Sequence, residues 1–315
     1  MTDDRGALSG QGWALPRKPL CVNRGRELRK FRELEEQAAR TGTPLLLAVS
    51  GGSGIGKTTL IVTAAYELGS RYPDVLFAAD AAGNIGTPAD SNDVAAVLLV
   101  QLGVPWQDIP APHLRLPVLR SKLGGRQLLL VLDDIRSAEQ VLPLLGDLRH
   151  AAVVVAGERH LDRLRIAGFE SLKLKGFEPG EGADYLVAMA GPEVAEADRA
   201  VLERLVVLCG GVPQLVAAAA ATLADGAEPI DEYVQRLERA ATLDELSDDL
   251  RIDNECVVDT VGDAGYDGLT DDEARAYRWL SMHPGTCFDL GFAAALLELP
   301  VPRVRRLIRG WSIGR

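Results

Sequence analysis

Residues 51–58 read Gly-Gly-Ser-Gly-Ile-Gly-Lys-Thr, and few local patterns narrow the choice of fold so far. The run matches a phosphate-binding loop in full, with an apolar stretch at 45–49 before it and a helical pattern at 57–70 after it. Glycines let such a loop turn until successive backbone N–H groups face inward and surround phosphate oxygens. A helix starting near Lys57 adds the positive end of its dipole. The pattern therefore predicts a strand buried on both faces, a tight turn and a helix, the opening of a parallel α/β sheet. Gly52, Ser53, Gly54, Ile55, Gly56, Lys57, Thr58 and Thr59 are the expected phosphate contacts. The Lys57 ammonium would reach the β- and γ-phosphates of ATP, and the Thr58 hydroxyl would bind Mg2+.

The rest of the first half agrees with that frame. Helical patterns at 27–40, 57–70 and 93–102 alternate with strand-like runs at 75–79, 128–132, 151–156 and 171–175, which implies βαβ units. After Gly176 the character changes: 178–190, 197–208, 213–224 and 231–241 all read as helical, with no strand signal between them. An acidic stretch at 243–254 reads as a linker or an exposed helix, and three short helices follow at 270–282, 290–297 and 302–309. The expected organisation is a flexible leader (1–18), an α/β nucleotide-binding domain (19–176), a helical subdomain (177–243) and a C-terminal segment (244–315).

A phosphate loop needs a metal-holding carboxylate on a neighbouring strand. The run 128–132 ends in Asp133-Asp134, at the carboxyl end of a buried strand, where open α/β sheets place their ligands. Asp133 is the expected Mg2+ partner, and Asp134 could orient the attacking water or accept its proton. Beyond the next strand lies Arg159, which reads equally as a γ-phosphate contact or as a surface arginine at a strand end. His113, His150 and His160 have no ligand spacing and are expected at the surface; His283 is expected to be structural. Cys21, Cys209, Cys256 and Cys287 lie far apart and are expected as reduced thiols, mostly packed as small apolar residues.

Composition excludes other classes. Lys+Arg 34 against Asp+Glu 45 gives a formal charge of −11, which disfavours a phosphate backbone as partner for the chain as a whole. No stretch is long and apolar enough to cross a bilayer, and Asp3 and Asp4 are wrong for a signal peptide, so a cytoplasmic protein is expected.

Taken in order, Gly51–Thr59, then 128–134, then Cys209-Gly210-Gly211-Val212-Pro213 resemble the NB-ARC core of the STAND ATPases. The flavour is similar to the bacterial regulators of antibiotic production and their relatives. Val22-Asn23-Arg24-Gly25, Gln101-Leu102-Gly103-Val104-Pro105 and Trp279–Gly285 carry the same likeness. On the residues alone, 210–213 would read as a helix stop and restart. The resemblance implies instead that Pro213 packs on the base or ribose, and that Val22, Asn23 and Arg24 lie against the adenine. It implies a P-loop NTPase sheet followed by a helical subdomain and a partial winged-helix domain. Gly157-Glu158 precede Arg159 where the family usually has Thr or Ser.

The resemblance further implies a nucleotide switch: ADP in a closed form, opening and self-association with ATP, and slow Mg2+-dependent hydrolysis. Sensor and effector modules are expected outside this chain. A fast-turnover ATPase of AAA+ type fits the same phosphate motifs, and so does an ATP-regulated transcription factor that binds DNA through its last helices. Arg303, Arg305, Arg306 and Arg309 make the final helix basic; a solvated face or a contact with an acidic neighbour is expected there rather than DNA.

Overall fold

A computed structural model describes residues 15–79, 89–146, 148–224, 228–239, 250–252, 255–258, 269–281 and 289–308. The chain divides into two compact units. One comprises the chain up to Ser50, Lys57–Gly157 and Leu161–Leu172; the other comprises Gly51–Gly56, Glu158–His160 and everything from Lys173 onward.

The first unit is built on a five-stranded sheet of order β2-β3-β4-β1-β5. Its strands are β1 (Leu45–Ser50), β2 (Asp74–Ala79), β3 (Leu128–Asp133), β4 (Ala152–Gly157) and β5 (Glu170–Lys173). The pairings β2/β3, β3/β4 and β4/β1 are parallel. All six residues of β3 and of β4 are buried, as expected of apolar strands covered on both faces. Helix α1 (Gly25–Thr41) precedes β1, and between the strands run α2 (Lys57–Leu68), α3 (Ser91–Gln101), α4 (Pro112–Leu123), α5 (Ala138–Val141) and α6 (Asp162–Ile166). Helix α1 stops at Gly42, whose φ of 66° a glycine adopts without strain. Helix α2, which follows the phosphate loop, buries seven of its twelve residues.

Two features depart from the sequence reading. Helix α4 falls where no element is expected, because Pro112 and Pro117 interrupt the pattern; Pro112 opens the helix, and Leu119 and Leu123 anchor it in the core. The strand bearing Asp133 is not the neighbour of β1, since β4 lies between them. The continuously apolar β3 and β4 take the middle of the sheet, and β5, with three exposed residues of four, takes an edge.

The second unit contains α7 (Pro179–Ala190), α8 (Pro192–Ala195), α9 (Arg199–Leu208), α10 (Pro213–Ala224) and α11 (Ile230–Arg239). The helix expected at 197–208 is α9, which Asp198 caps by accepting from Ala200 N at 2.9 Å, and the short α8 before it falls where no element is expected. Gly182 lets α7 approach α9: a Cβ there would overlap the side chain of Val206. Ala218, Ala219 and Ala220 of α10 are fully buried in the same core. Arg251–Ile252, inside the stretch expected as a linker or an exposed helix, pairs antiparallel with Glu255–Cys256 just beyond it. Then come α12 (Asp271–Ser281), α13 (Leu290–Leu297) and α14 (Val301–Leu307), packed around Leu280, Ala293 and Val304. His283, Cys287, Arg309 and the first fourteen residues lie outside the described residues.

Candidate phosphate-binding site

The register of the sheet determines what its carboxyl edge presents. Ser50, the last residue of β1, pairs with Gly157, the last of β4, and Ala79 pairs with Asp133. Leu132 pairs with Val155, so β3 ends level with them. The phosphate loop, the double Asp and the segment leading to Arg159 therefore all leave the sheet at one edge. Asp133 stands two strand spacings from β1, roughly 10 Å.

Within the sheet unit, Lys57 is the first residue of α2, where the first four backbone N–H groups have no helical acceptor. Thr58 is exposed, and the Thr59 carbonyl accepts from Thr63 Oγ1 at 2.7 Å. Asp133 is 5% exposed, and one of its oxygens accepts from Asp134 N at 2.9 Å. Asp134 itself is exposed, has φ 53° and sits 3.8 Å from Arg136 in an ion pair. A left-handed backbone is uncommon outside glycine, with Asp among the residues that tolerate it, and it turns the chain sharply after the strand. The turn is then tied down twice. Ile135 N donates to Ala156 O at 2.8 Å, and a Cβ at Gly157 would overlap the carbonyl oxygen of Ile135. Gly157 is thus the residue this crossing requires.

Gln140, which sequence reasoning passed over, holds the same turn. It is 5% exposed; its Oε1 accepts from Arg136 N at 2.8 Å and Ser137 N at 3.0 Å, and its Nε2 donates to Ala89 O at 2.7 Å. The available signal was Ser137-x-x-Gln140, a capping box opening α5.

Val22, Asn23 and Arg24 precede α1. Asn23 is left-handed at φ 56°, and the Arg24 side chain, 6% exposed, pairs with Glu27 at 3.5 Å. Burial pushes the neighbouring Cys21 thiol up, against a hydrogen bond with Thr63 that acts the other way. Helix α1, which follows this segment, lies beside α2, the helix that Lys57 opens, with Arg32 paired to Glu67 at 3.8 Å.

Within the other unit, Gly51 is closely enclosed: a Cβ would lie 2.9 Å from both Ile55 Cγ2 and Leu174 O. Gly54 and Gly56 have φ of 68° and 88°, and the space where a Cβ of Gly56 would point is open. The Gly54 carbonyl accepts from Gln214 N at 3.2 Å. Gln214 follows Pro213, which has no N–H, so the first donor of α10 is spent on the phosphate loop. Pro213 is buried. Gly176 and Gly211 let two backbone segments cross closely, with Phe177 N donating to Gly211 O at 2.8 Å. Gly52 and Ser53 are partly buried.

Arg159 has a defined partner. Its Nη2 is 3.3 Å from Glu273 Oε2, in the first turn of α12. The same oxygen accepts from Thr270 N at 2.9 Å and Thr270 Oγ1 at 2.8 Å. Burial would push the Glu273 carboxyl up, but the Thr270 bonds and the Arg159 guanidinium outweigh it and hold it below the usual carboxylate range. One residue away, Asp272 pairs with Arg303 of α14 at 3.1 Å, the acidic contact expected of that basic helix. His113, His150 and His160 are exposed, and Cys209 is buried, as expected.

The donor set fits a nucleotide. Within the sheet unit, a lysine at a helix start, a hydroxyl next to it and a buried carboxylate at a strand end are parts that hold phosphates and a divalent cation, and in sequence the left-handed Gly54 and Gly56 come directly before that lysine.

No family model matches the chain. It is 32% identical over 265 residues to the regulatory protein AfsR of Streptomyces coelicolor, which is 83% of this chain and 26% of that protein. To AfsR of Streptomyces griseus it is 31% identical over 256 residues, 80% of this chain and 26% of that protein. The chain thus spans about a quarter of the length of these curated relatives, and its expected likeness to bacterial regulatory proteins stands. Among solved structures, the Walker-type ATPase paby2304 of Pyrococcus abyssi superposes with a TM-score of 0.57 at 15% identity, covering 93% of this chain and 90% of that one. The ORC2 protein of Aeropyrum pernix, in ADPNP–ADP complexes, gives 0.51 at 16% identity, covering 93% and 94%. At such identities the likeness concerns the fold, which is that of a P-loop NTPase. No helix among the described residues is long and apolar enough to cross a membrane.

Proposed function

We propose that this chain, homologous to about a quarter of the AfsR regulatory proteins, is a nucleotide-operated switch of NB-ARC type in a signalling or transcription-regulatory protein. One observation carries the reading furthest: the phosphate loop belongs to the helical unit, where Gln214 N, the first donor of α10, bonds Gly54 O. A loop held in this way couples what it binds to where α10 stands.

In this reading Lys57 and the loop N–H groups of 52–56 hold the phosphates, with Thr59 beside them. Val22, Asn23 and Arg24 lie along the adenine, and Pro213 packs on the base or ribose. Thr58 and Asp133 would hold Mg2+, which when bound neutralises charge on the β- and γ-phosphates. Asp134 orients a water for a slow hydrolysis that resets the switch. ADP and ATP differ by the γ-phosphate, so contacts to it must carry the bias between a closed and an open arrangement. Self-association belongs to the ATP state, and the signal and output belong to segments of the protein outside this chain. Residues 177–243 then act as the helical subdomain and 244–315 as a winged-helix-like part.

The test is to denature the purified protein, identify the released nucleotide by chromatography and compare its amount with protein. Near-stoichiometric ADP with slow turnover is expected. An empty protein that hydrolyses ATP rapidly would replace the switch by a motor-type ATPase.

A further inference from the structure

Arg159 leaves the sheet two residues after Gly157, whose strand partner Ser50 immediately precedes the phosphate loop. Both Glu158–His160 and Gly51–Gly56 belong to the helical unit. The guanidinium is nevertheless engaged by a carboxylate contributed by the first turn of α12, 114 residues further along the chain. That carboxylate is not a loose surface acid. Its side chain is 16% exposed, and two donors of Thr270 hold it in a capping box while Glu273 N approaches Thr270 Oγ1 at 3.4 Å. The helix start therefore positions Glu273 whether or not Arg159 is there.

We propose that Glu273 is the residue that sets the preference of this site for a nucleoside diphosphate over a triphosphate, acting through Arg159. The inference rests on the nucleotide-binding reading above and adds to it. Two effects have the same sign. The ion pair compensates the positive charge that Arg159 could offer a γ-phosphate, and the carboxylate brings its own negative charge to the side from which that phosphate is met. A diphosphate has no group there and is indifferent to both. Triphosphate binding must displace or tolerate Glu273, and the first turn of α12 moves with it. Glu273 is thus a positioning residue; it touches no reacting atom.

The isosteric Glu273→Gln isolates the charge, because the amide oxygen still accepts from Thr270 and keeps the helix cap. Binding of ADP and of the slowly hydrolysed ATPγS would be measured by equilibrium dialysis with Mg2+ on the full chain, Glu273→Gln, Arg159→Ala and the double variant. The ATPγS-to-ADP affinity ratio should rise on the order of tenfold in Glu273→Gln. In the Arg159→Ala background the same change should alter the ratio by much less. Asp272→Asn, which removes the adjacent pair with Arg303, should leave the ratio unchanged and serves as the control for a damaged α12. An unchanged ratio in Glu273→Gln overturns the inference, as does an equal shift with and without Arg159. If the unaltered chain binds neither nucleotide, the phosphate-site reading falls as well, so the two failures are told apart. Should Glu273→Gln fail to fold, Glu273→Ala, which removes the carboxylate and its pair with Arg159, must still raise the ratio.

Discussion

At the scale of single residues, the candidate site combines groups whose chemistry is local with groups that only hold others in place. Lys57 is of the first kind: a cation at the start of a helix whose N–H groups already favour anions. Lys57→Ala should lower ADP affinity by roughly 100-fold, the scale of a lost charge-assisted contact, with little change in the melting temperature of the empty protein. Titration with a fluorescent ADP checks it. Asp133→Asn removes the charge that would hold a divalent cation, so nucleotide affinity should become nearly independent of Mg2+; retained dependence would move the cation elsewhere. Gly157 is of the second kind. Replacing it by Ser, the residue type the family resemblance leads one to expect before the arginine, forces a Cβ into the Ile135 carbonyl. Gly157→Ser should destabilise the fold by about 1–3 kcal/mol, read as a lowered denaturant midpoint. Local sequence identified Lys57 and Asp133. It could not identify the need for Gly157, which arises from a backbone 22 residues earlier meeting it across the sheet edge.

At the scale of elements, burial decided what periodicity left open. The expected strands and most helices are present because an apolar run between breakers, or an apolar stripe among charges, has few other ways to fold. Helix α1 shows this plainly, burying Phe31 and Leu34 along one face together with Glu35, which pairs with Arg71. Helix α4 escaped because two prolines mask a helix whose justification is tertiary: Leu119 and Leu123 fill the core beside β3 and α3. The contact between α7 and α9 is decided by one missing side chain. Gly182→Ala would drive a methyl into Val206 and should cost about 1–3 kcal/mol, despite the higher helix propensity of alanine. A stability gain in urea unfolding would mean the two helices can separate without loss.

At the scale of the whole molecule, the phosphate loop and the segment around Arg159 belong to the helical unit although the sheet supplies their flanks. The helical unit also carries a titratable group whose effect is global. Burial pushes the Cys209 thiol from 9.0 up to about 12, so the folded protein keeps a proton that the unfolded chain releases above pH 9. The contribution is complete below pH 9 and declines between 9 and 12 by about 1.4 kcal/mol per pH unit. Cys209→Ala should flatten that alkaline limb relative to the unaltered protein; parallel limbs would show the thiol is not its source. What the sequence by itself determined is local: the phosphate loop, the alternation of strand and helix, the helical second half and the acids at a strand end. Each depends on backbone conformation and periodicity within a window of some twenty residues. Only the tertiary structure decided that β4 separates β1 from β3, that Gln214 N bonds the loop, and that Glu273 meets Arg159 from 114 positions away. Those outcomes depend on which distant surfaces bury one another, and no stretch of sequence taken alone specifies its partner.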